Sequence, residues 1–131
     1  MTTAEQIRSM TYQQLRDWWA EDHGYKYVEG REHVTVPHWI DSTGEPVWNA
    51  ECRLAIHPLE DTLEAAAACL GEGWVWWKEN LATRMQRYCA CNRDEWGKRC
   101  RQVVNITDTG DEKTDRLRLA CLARLVERGS K

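Results

Sequence analysis

A chain of 131 residues is the size of one ordinary domain and is long enough to bury a core without staples of disulfide or metal. A net charge of −3 excludes a strongly basic nucleic-acid binder on total charge. The stretch from Met1 to Arg16 is polar with no apolar export region, and no apolar run reaches the roughly 20 residues of a membrane span, so the sequence predicts a cytoplasmic protein without membrane contact.

In chain order, Thr2-x-x-Glu5 and Thr11-x-x-Gln14 both have capping-box spacing, and Ile7, Met10, Leu15, Trp18 and Trp19 fall near one face of a first helix that Gly24 closes. Tyr25 to Val28 reads as a short extended piece. Glu29 to Glu51 is rich in Gly, Pro, Asp and Thr and reads as loop, with an edge strand at His33-Val34-Thr35-Val36 and with Trp39, Val47 and Trp48 pinning it down. Pro58, followed by Glu60 and Asp61 near the positive end of a helix dipole, predicts a second helix through Leu70, with Leu59, Leu63, Ala66, Ala67 and Leu70 as its buried stripe.

Trp74-Val75-Trp76-Trp77 reads as a strand with apolar residues on both faces, which calls for a sheet covered on each side, or covered on one side with the other reserved for a partner. Arg84 to Cys91 and Arg99 to Ile106 are two further strands joined as a hairpin through the turn-rich stretch from Asn92 to Gly97. Asp108-Thr109-Gly110-Asp111 caps a last helix whose Leu117, Leu119, Ala120, Cys121, Leu122, Leu125 and Val126 span an arc broad enough to imply burial around most of its girth, before Gly129 ends it. The expected fold is α+β: one single-domain sandwich over 1–131, with a short antiparallel sheet of three or more strands wedged among three helices.

Three blocks of this sequence resemble the phage alpha-beta-alpha sandwich family, small bacteriophage proteins. Leu15-Arg16-Asp17-Trp18-Trp19-Ala20-Glu21 leading to Gly24-Tyr25 is similar to that family's opening helix. His57-Pro58-Leu59-Glu60-Asp61 through Leu63-Glu64-Ala65-Ala66-Ala67 and on to Glu72-Gly73-Trp74 with Trp76 is similar to its alanine-rich helix and Gly-Trp-x-Trp strand. Asp108-Thr109-Gly110 ahead of Leu117 to Leu125 is similar to its closing helix. Together the blocks touch about half the chain, in the family's order. The resemblance implies a viral protein of the host cytoplasm with no catalytic residues to carry over and with a role in takeover or counter-defence. The stretches 29–51 and 84–101 are not shared, so a specialised task is expected there.

No catalytic or metal constellation stands out. Cys89-x-Cys91 on a strand would aim two sulfurs to one face with Cys100 across the hairpin, but structural zinc favours paired ligands about two to four residues apart and there is no second pair. Cys52, Cys69, Cys89, Cys91, Cys100 and Cys121 are therefore read as thiols of a reducing compartment. His23, His33, His38 and His57 are well separated and show no nucleophile motif, and His57 reads as a residue at a helix mouth. Glu60-Asp61 and Asp111-Glu112 are explained by the helix dipole. No cofactor is implied.

The remaining signal is basic and aromatic. Met1 to Gly73 carries five Lys/Arg against thirteen Asp/Glu, and Trp74 to Arg101 carries seven against three. That second stretch holds Trp74, Trp76, Trp77, Arg84, Arg87, Tyr88, Trp96, Arg99 and Arg101 as candidate ligand-binding residues, with Arg93 and Lys98 beside them. Aromatic faces stack on bases and guanidinium groups fork onto phosphate, so the mixture suits a nucleotide-type ligand such as a cyclic nucleotide signal of antiphage immunity. A solvated outer face over a core face would show the same alternation. The alternative function is stoichiometric inhibition of a host defence protein through an exposed Trp-bearing surface, or formation of a homodimer or higher homo-oligomer. A concave cluster of Trp and Arg would favour the ligand, and a flat exposed aromatic patch would favour the protein partner.

Overall fold

A computed structural model describes residues 2–31, 33–80, 86–93 and 100–129, with the backbone alone described at 93, 100 and 101. The fold is α+β, with one two-stranded and one three-stranded antiparallel sheet. The chain gathers into two compact units, Met1–Leu15 with Asp61–Lys131, and Arg16–Glu60.

In the first unit, helix α1 (Ala4–Ser9) opens on a capping box in which Thr3 N–H donates to Gln6 Oε1 at 2.8 Å and Gln6 N–H donates to Thr3 Oγ1 at 3.2 Å. The box lies one residue beyond the expected Thr2. Met10 then takes extended backbone and interrupts the helix, so the predicted first helix is two. Helix α2 (Tyr12–Asp22) starts on the second expected box, with Thr11 N–H on Gln14 Oε1 at 2.9 Å and Gln14 N–H on Thr11 Oγ1 at 3.3 Å. Helix α3 (Leu63–Ala68) is shorter than the predicted span from Pro58, because Thr62 accepts from Ala65 N–H at 3.0 Å and sets the start there.

Strands β3 (Trp74–Asn80), β4 (Gln86–Arg93) and β5 (Cys100–Thr107) form the three-stranded sheet in that order, all antiparallel, and the expected β4–β5 hairpin is present. Helix α4 (Glu112–Gly129) follows, with Asp111 accepting from the Thr114 hydroxyl at 2.5 Å at its start. α4 packs against β4 and β5, and the main contacts of α1 and α3 run to α4. That double coverage explains the broad apolar arc: Leu117, Leu119, Ala120, Cys121, Leu122 and Ala123 are all buried.

Two buried polar residues lock this packing. Arg118 donates from Nη2 to Met10 O and reaches Ile7 O at 3.4 Å, satisfying carbonyls at the end of α1. Asp115 accepts from the Thr109 hydroxyl at 2.7 Å and Thr109 N–H at 3.1 Å, and lies 3.7 Å from Arg118. α4 covers one face, while Val75, Trp77 and Val103 on the other are 36%, 36% and 55% exposed.

In the second unit, α2 ends at Gly24, whose φ of +90° and closeness to Ser42, 2.9 Å from where a Cβ would lie, exclude a side chain. Strand β1 (Lys26–Val28) pairs antiparallel with β2 (His38–Ile40), setting Tyr27 opposite Trp39. The expected edge strand at 33–36 is thus displaced to 38–40. His38, Trp39 and Ile40 are buried, whereas His33, Thr35 and Val36 stay exposed, so the strand forms where both its faces have something to cover them. Trp39 meets Tyr27 edge-on at 5.6 Å and His57 at 4.8 Å. Trp48, expected to pin the loop, is 55% exposed.

Candidate functional site

Strand alternation sorts the aromatic and basic residues onto two faces. On the face toward α4, three cross-strand rows run Trp74–Asn92–Gln102, Trp76–Ala90–Val104 and Lys78–Tyr88–Ile106. Trp74 is buried and donates its indole N–H to Glu127 of α4. Tyr88 is buried beneath Lys78, whose Nζ lies 4.9 Å from the ring centroid and 3.5 Å from Asp108. Trp76 remains half-exposed at the edge, with the Arg116 guanidinium 3.5 Å over its ring. Burial draws Arg116 below its usual pKa.

The opposite face carries the rows Val75–Cys91–Val103, Trp77–Cys89–Asn105 and Glu79–Arg87–Thr107. Glu79 accepts from Arg87 Nε and, at 3.3 Å, from the Trp77 indole N–H. The Arg87 guanidinium holds the Glu79 carboxyl below its ordinary range. What the face offers outward is therefore apolar in its first row, mixed in its second, where Asn105 is exposed beside Trp77 and Cys89, and self-neutralised in its third.

Of the nine candidate residues, Trp74, Trp76 and Tyr88 share the covered face, and Trp77 and Arg87 share the other. Arg101 stands in β5, and Arg84, Trp96 and Arg99, like Lys98, lie outside the described residues. The described side chains are divided by the sheet, not gathered in one hollow, and Arg87 is paired within the fold. Val75, Val103 and Arg116 were not singled out. Alternation along β3 and β5 points to the two valines, but only the packing of α4 places Arg116 on Trp76.

Cysteine chemistry departs from the expectation of thiols throughout: Cys91 is in a disulfide, while Cys52, Cys69, Cys89 and Cys121 are free. Burial pushes the Cys69 thiol up to about 12, so it has no nucleophilic character.

His57 is not at a helix mouth. It is 7% exposed in the second unit, accepts Leu59 N–H on Nδ1 at 3.0 Å and donates from Nε2 to Asp17 at 2.9 Å. With both ring nitrogens engaged, the pair holds the chain in place and leaves no lone pair for proton abstraction. Arg16 completes the tie by donating to Leu59 O at 2.6 Å. Burial, opposed by Asp17, lowers the His57 pKa from 6.5. The unfolded chain then takes up the proton first, so stability is present above about 6.5 and is lost as pH falls from there toward the folded value. Protonation removes the Leu59 bond, and we expect stability to fall in urea titrations as pH is lowered below about 6.5, an effect absent in His57→Gln.

Among the described residues no group of three or more His, Cys, Asp or Glu is placed to hold a metal ion, and no helix is long and apolar enough to cross a membrane. Comparison of the chain with protein-family models, with curated proteins and with solved structures finds no match.

Proposed function

We propose that this chain acts by stoichiometric binding and docks a protein partner on the face of its three-stranded sheet opposite α4. The observation that carries the reading is the exposure of Val75, Trp77 and Val103 on the face opposite α4. A half-exposed tryptophan with valines in the adjacent row is the type of anchor that dominates protein interfaces, where an indole supplies a large apolar area at low entropic cost. The face carries exposed apolar side chains, and its one described guanidinium, Arg87, is neutralised by Glu79. Both features suit a protein better than a phosphorylated ligand. The resemblance to phage sandwich proteins supports a host defence complex as the partner and inhibition as the outcome.

The test is affinity capture from bacterial extract with the wild type and with Val75→Lys/Trp77→Lys, alongside native mass measurement of the isolated chain. A protein retained at fixed stoichiometry by the wild type, and at least tenfold less by a variant with an unchanged melting temperature, is the expected result. Equal capture by both removes the sheet face as the docking surface. Self-association of the isolated wild type that the variant abolishes assigns the face to a homodimer and removes the inhibitor reading.

A further inference from the structure

The last turn of α1 reaches the outer edge of the three-stranded sheet. Asp108 N–H donates to Gln86 O at 2.8 Å, and backbone groups alternate along an antiparallel strand. The even-numbered residues of β5 therefore bond β4, while the odd-numbered ones turn their N–H and C=O outward. Arg8 uses that edge, donating from Nη1 to Asn105 O at 2.7 Å. Two residues on, Thr107 N–H points the same way, with no further strand beyond it in the sheet.

Arg118 comes to the same place from α4. Its Nε and Nη2 are spent on Ile7 O and Met10 O, whereas Nη1, 3.7 Å from Asp115, makes no hydrogen bond among the described residues. The residue as a whole is 9% exposed, but Nη1 itself is open to solvent. A guanidinium fixed by two of its nitrogens thus holds its third ready for an acceptor.

Arg8 and Arg118 line one pocket of about 280 Å³ together with Ile106, Thr107 and Thr109. Ile106 is buried and apolar, and charges beside such a wall are screened less than in open water. Thr109 gives both its N–H and its hydroxyl proton to Asp115, so its oxygen keeps only the capacity to accept. No acidic residue is among the walls. Asp115 answers part of the Arg118 charge, but it is fully buried with both oxygens engaged by Thr109. The printed polar contact of Arg8 is a neutral carbonyl, so the pocket keeps a net positive charge.

The volume is below the roughly 300–1,000 Å³ of sites that enclose a whole drug-sized molecule, and it suits one compact group. The donors come from three separate elements: the Arg8 guanidinium from α1, Thr107 N–H from β5 and Arg118 Nη1 from α4. A carboxylate has two oxygens in one plane and leaves one of these donors unmatched. A tetrahedral oxyanion supplies an oxygen to each and retains a fourth.

We propose that this pocket binds phosphate, as the free ion or as the terminal group of a monoester, through Arg8, Arg118 Nη1 and Thr107 N–H. In the free ion the fourth oxygen carries a proton that the Thr109 oxygen can accept, and in an ester it bears the rest of the molecule. Calorimetric titration of the full chain at constant ionic strength is expected to show saturable binding of inorganic phosphate, at least tenfold tighter than acetate. Arg8→Gln should weaken phosphate at least tenfold, with an unchanged melting temperature in phosphate-free buffer because it gives up one exposed hydrogen bond. Arg53→Gln removes the same charge from an exposed arginine of the second unit and should bind as the wild type does. Glycerol phosphate separates the two sources: tighter binding than phosphate assigns the pocket to the phosphoryl group of a larger molecule, and equal or weaker binding assigns it to the free ion. The proposal is overturned if neither binds at millimolar concentration, if acetate matches phosphate, if Arg8→Gln binds as the wild type does, or if Arg53→Gln loses as much as Arg8→Gln. Val75→Lys/Trp77→Lys should bind phosphate normally, so failure of this site and failure of the sheet-face reading are separately visible.

Discussion

Asp115→Ala is expected to destabilise the protein by about 3 kcal/mol, read as a shift of the urea midpoint at unchanged slope. Asp115 is fully buried at the start of α4, and its removal strands the Thr109 hydroxyl and N–H and takes the acidic neighbour from a nearly buried Arg118. Asp115→Asn keeps one acceptor oxygen and should lose less. Burial raises the Asp115 pKa above 3.8, with Asp108 opposing ionisation further. For this group alone, folding is therefore favoured below the unfolded value and that contribution is lost as pH rises through the folded one, so the cost of Asp115→Ala at neutral pH reflects broken hydrogen bonds more than a favourable charge.

Tyr88→Ala and Trp77→Ala remove aromatic rings from the same sheet, yet their effects should differ severalfold. Tyr88 is 2% exposed between the sheet and α4, touches Trp76 at 6.0 Å between ring centroids and lies beneath Lys78. Its loss leaves a cavity and should cost about 3–4 kcal/mol. Trp77 already meets solvent on the other face, so its loss should cost under about 1 kcal/mol. Equal costs in chemical denaturation would show that the face bearing Trp77 is covered in solution and would remove the premise of a docking surface.

What could be read in the sequence was what local pattern controls. The apolar arc of α4, the β4–β5 hairpin and the Thr11 cap all follow from spacing, and each is present. Alternation along Trp74-Val75-Trp76-Trp77 also announced that these indoles would divide between two faces, which argues against one ligand hollow on that strand. The start of α3 was misread because Pro58, Glu60 and Asp61 have the composition of a first turn, while His57 and Arg16 hold that segment in another conformation. Such long-range ties leave no local signature. Asp17 and His57 are forty positions apart, and Glu79 opposite Arg87 depends on strand register. The pocket between Arg8 and Arg118 depends on the last turn of α1 meeting the edge of β5, a contact that no spacing within either element announces.

Cys89 and Cys91 share a strand face, one a thiol and the other half of a covalent bridge. A neighbouring sulfur can attack a bridge only as thiolate, and burial together with the negative charge of Glu79 suppresses that form at Cys89. The linkage is thereby shielded from attack by the thiol beside it on its own strand.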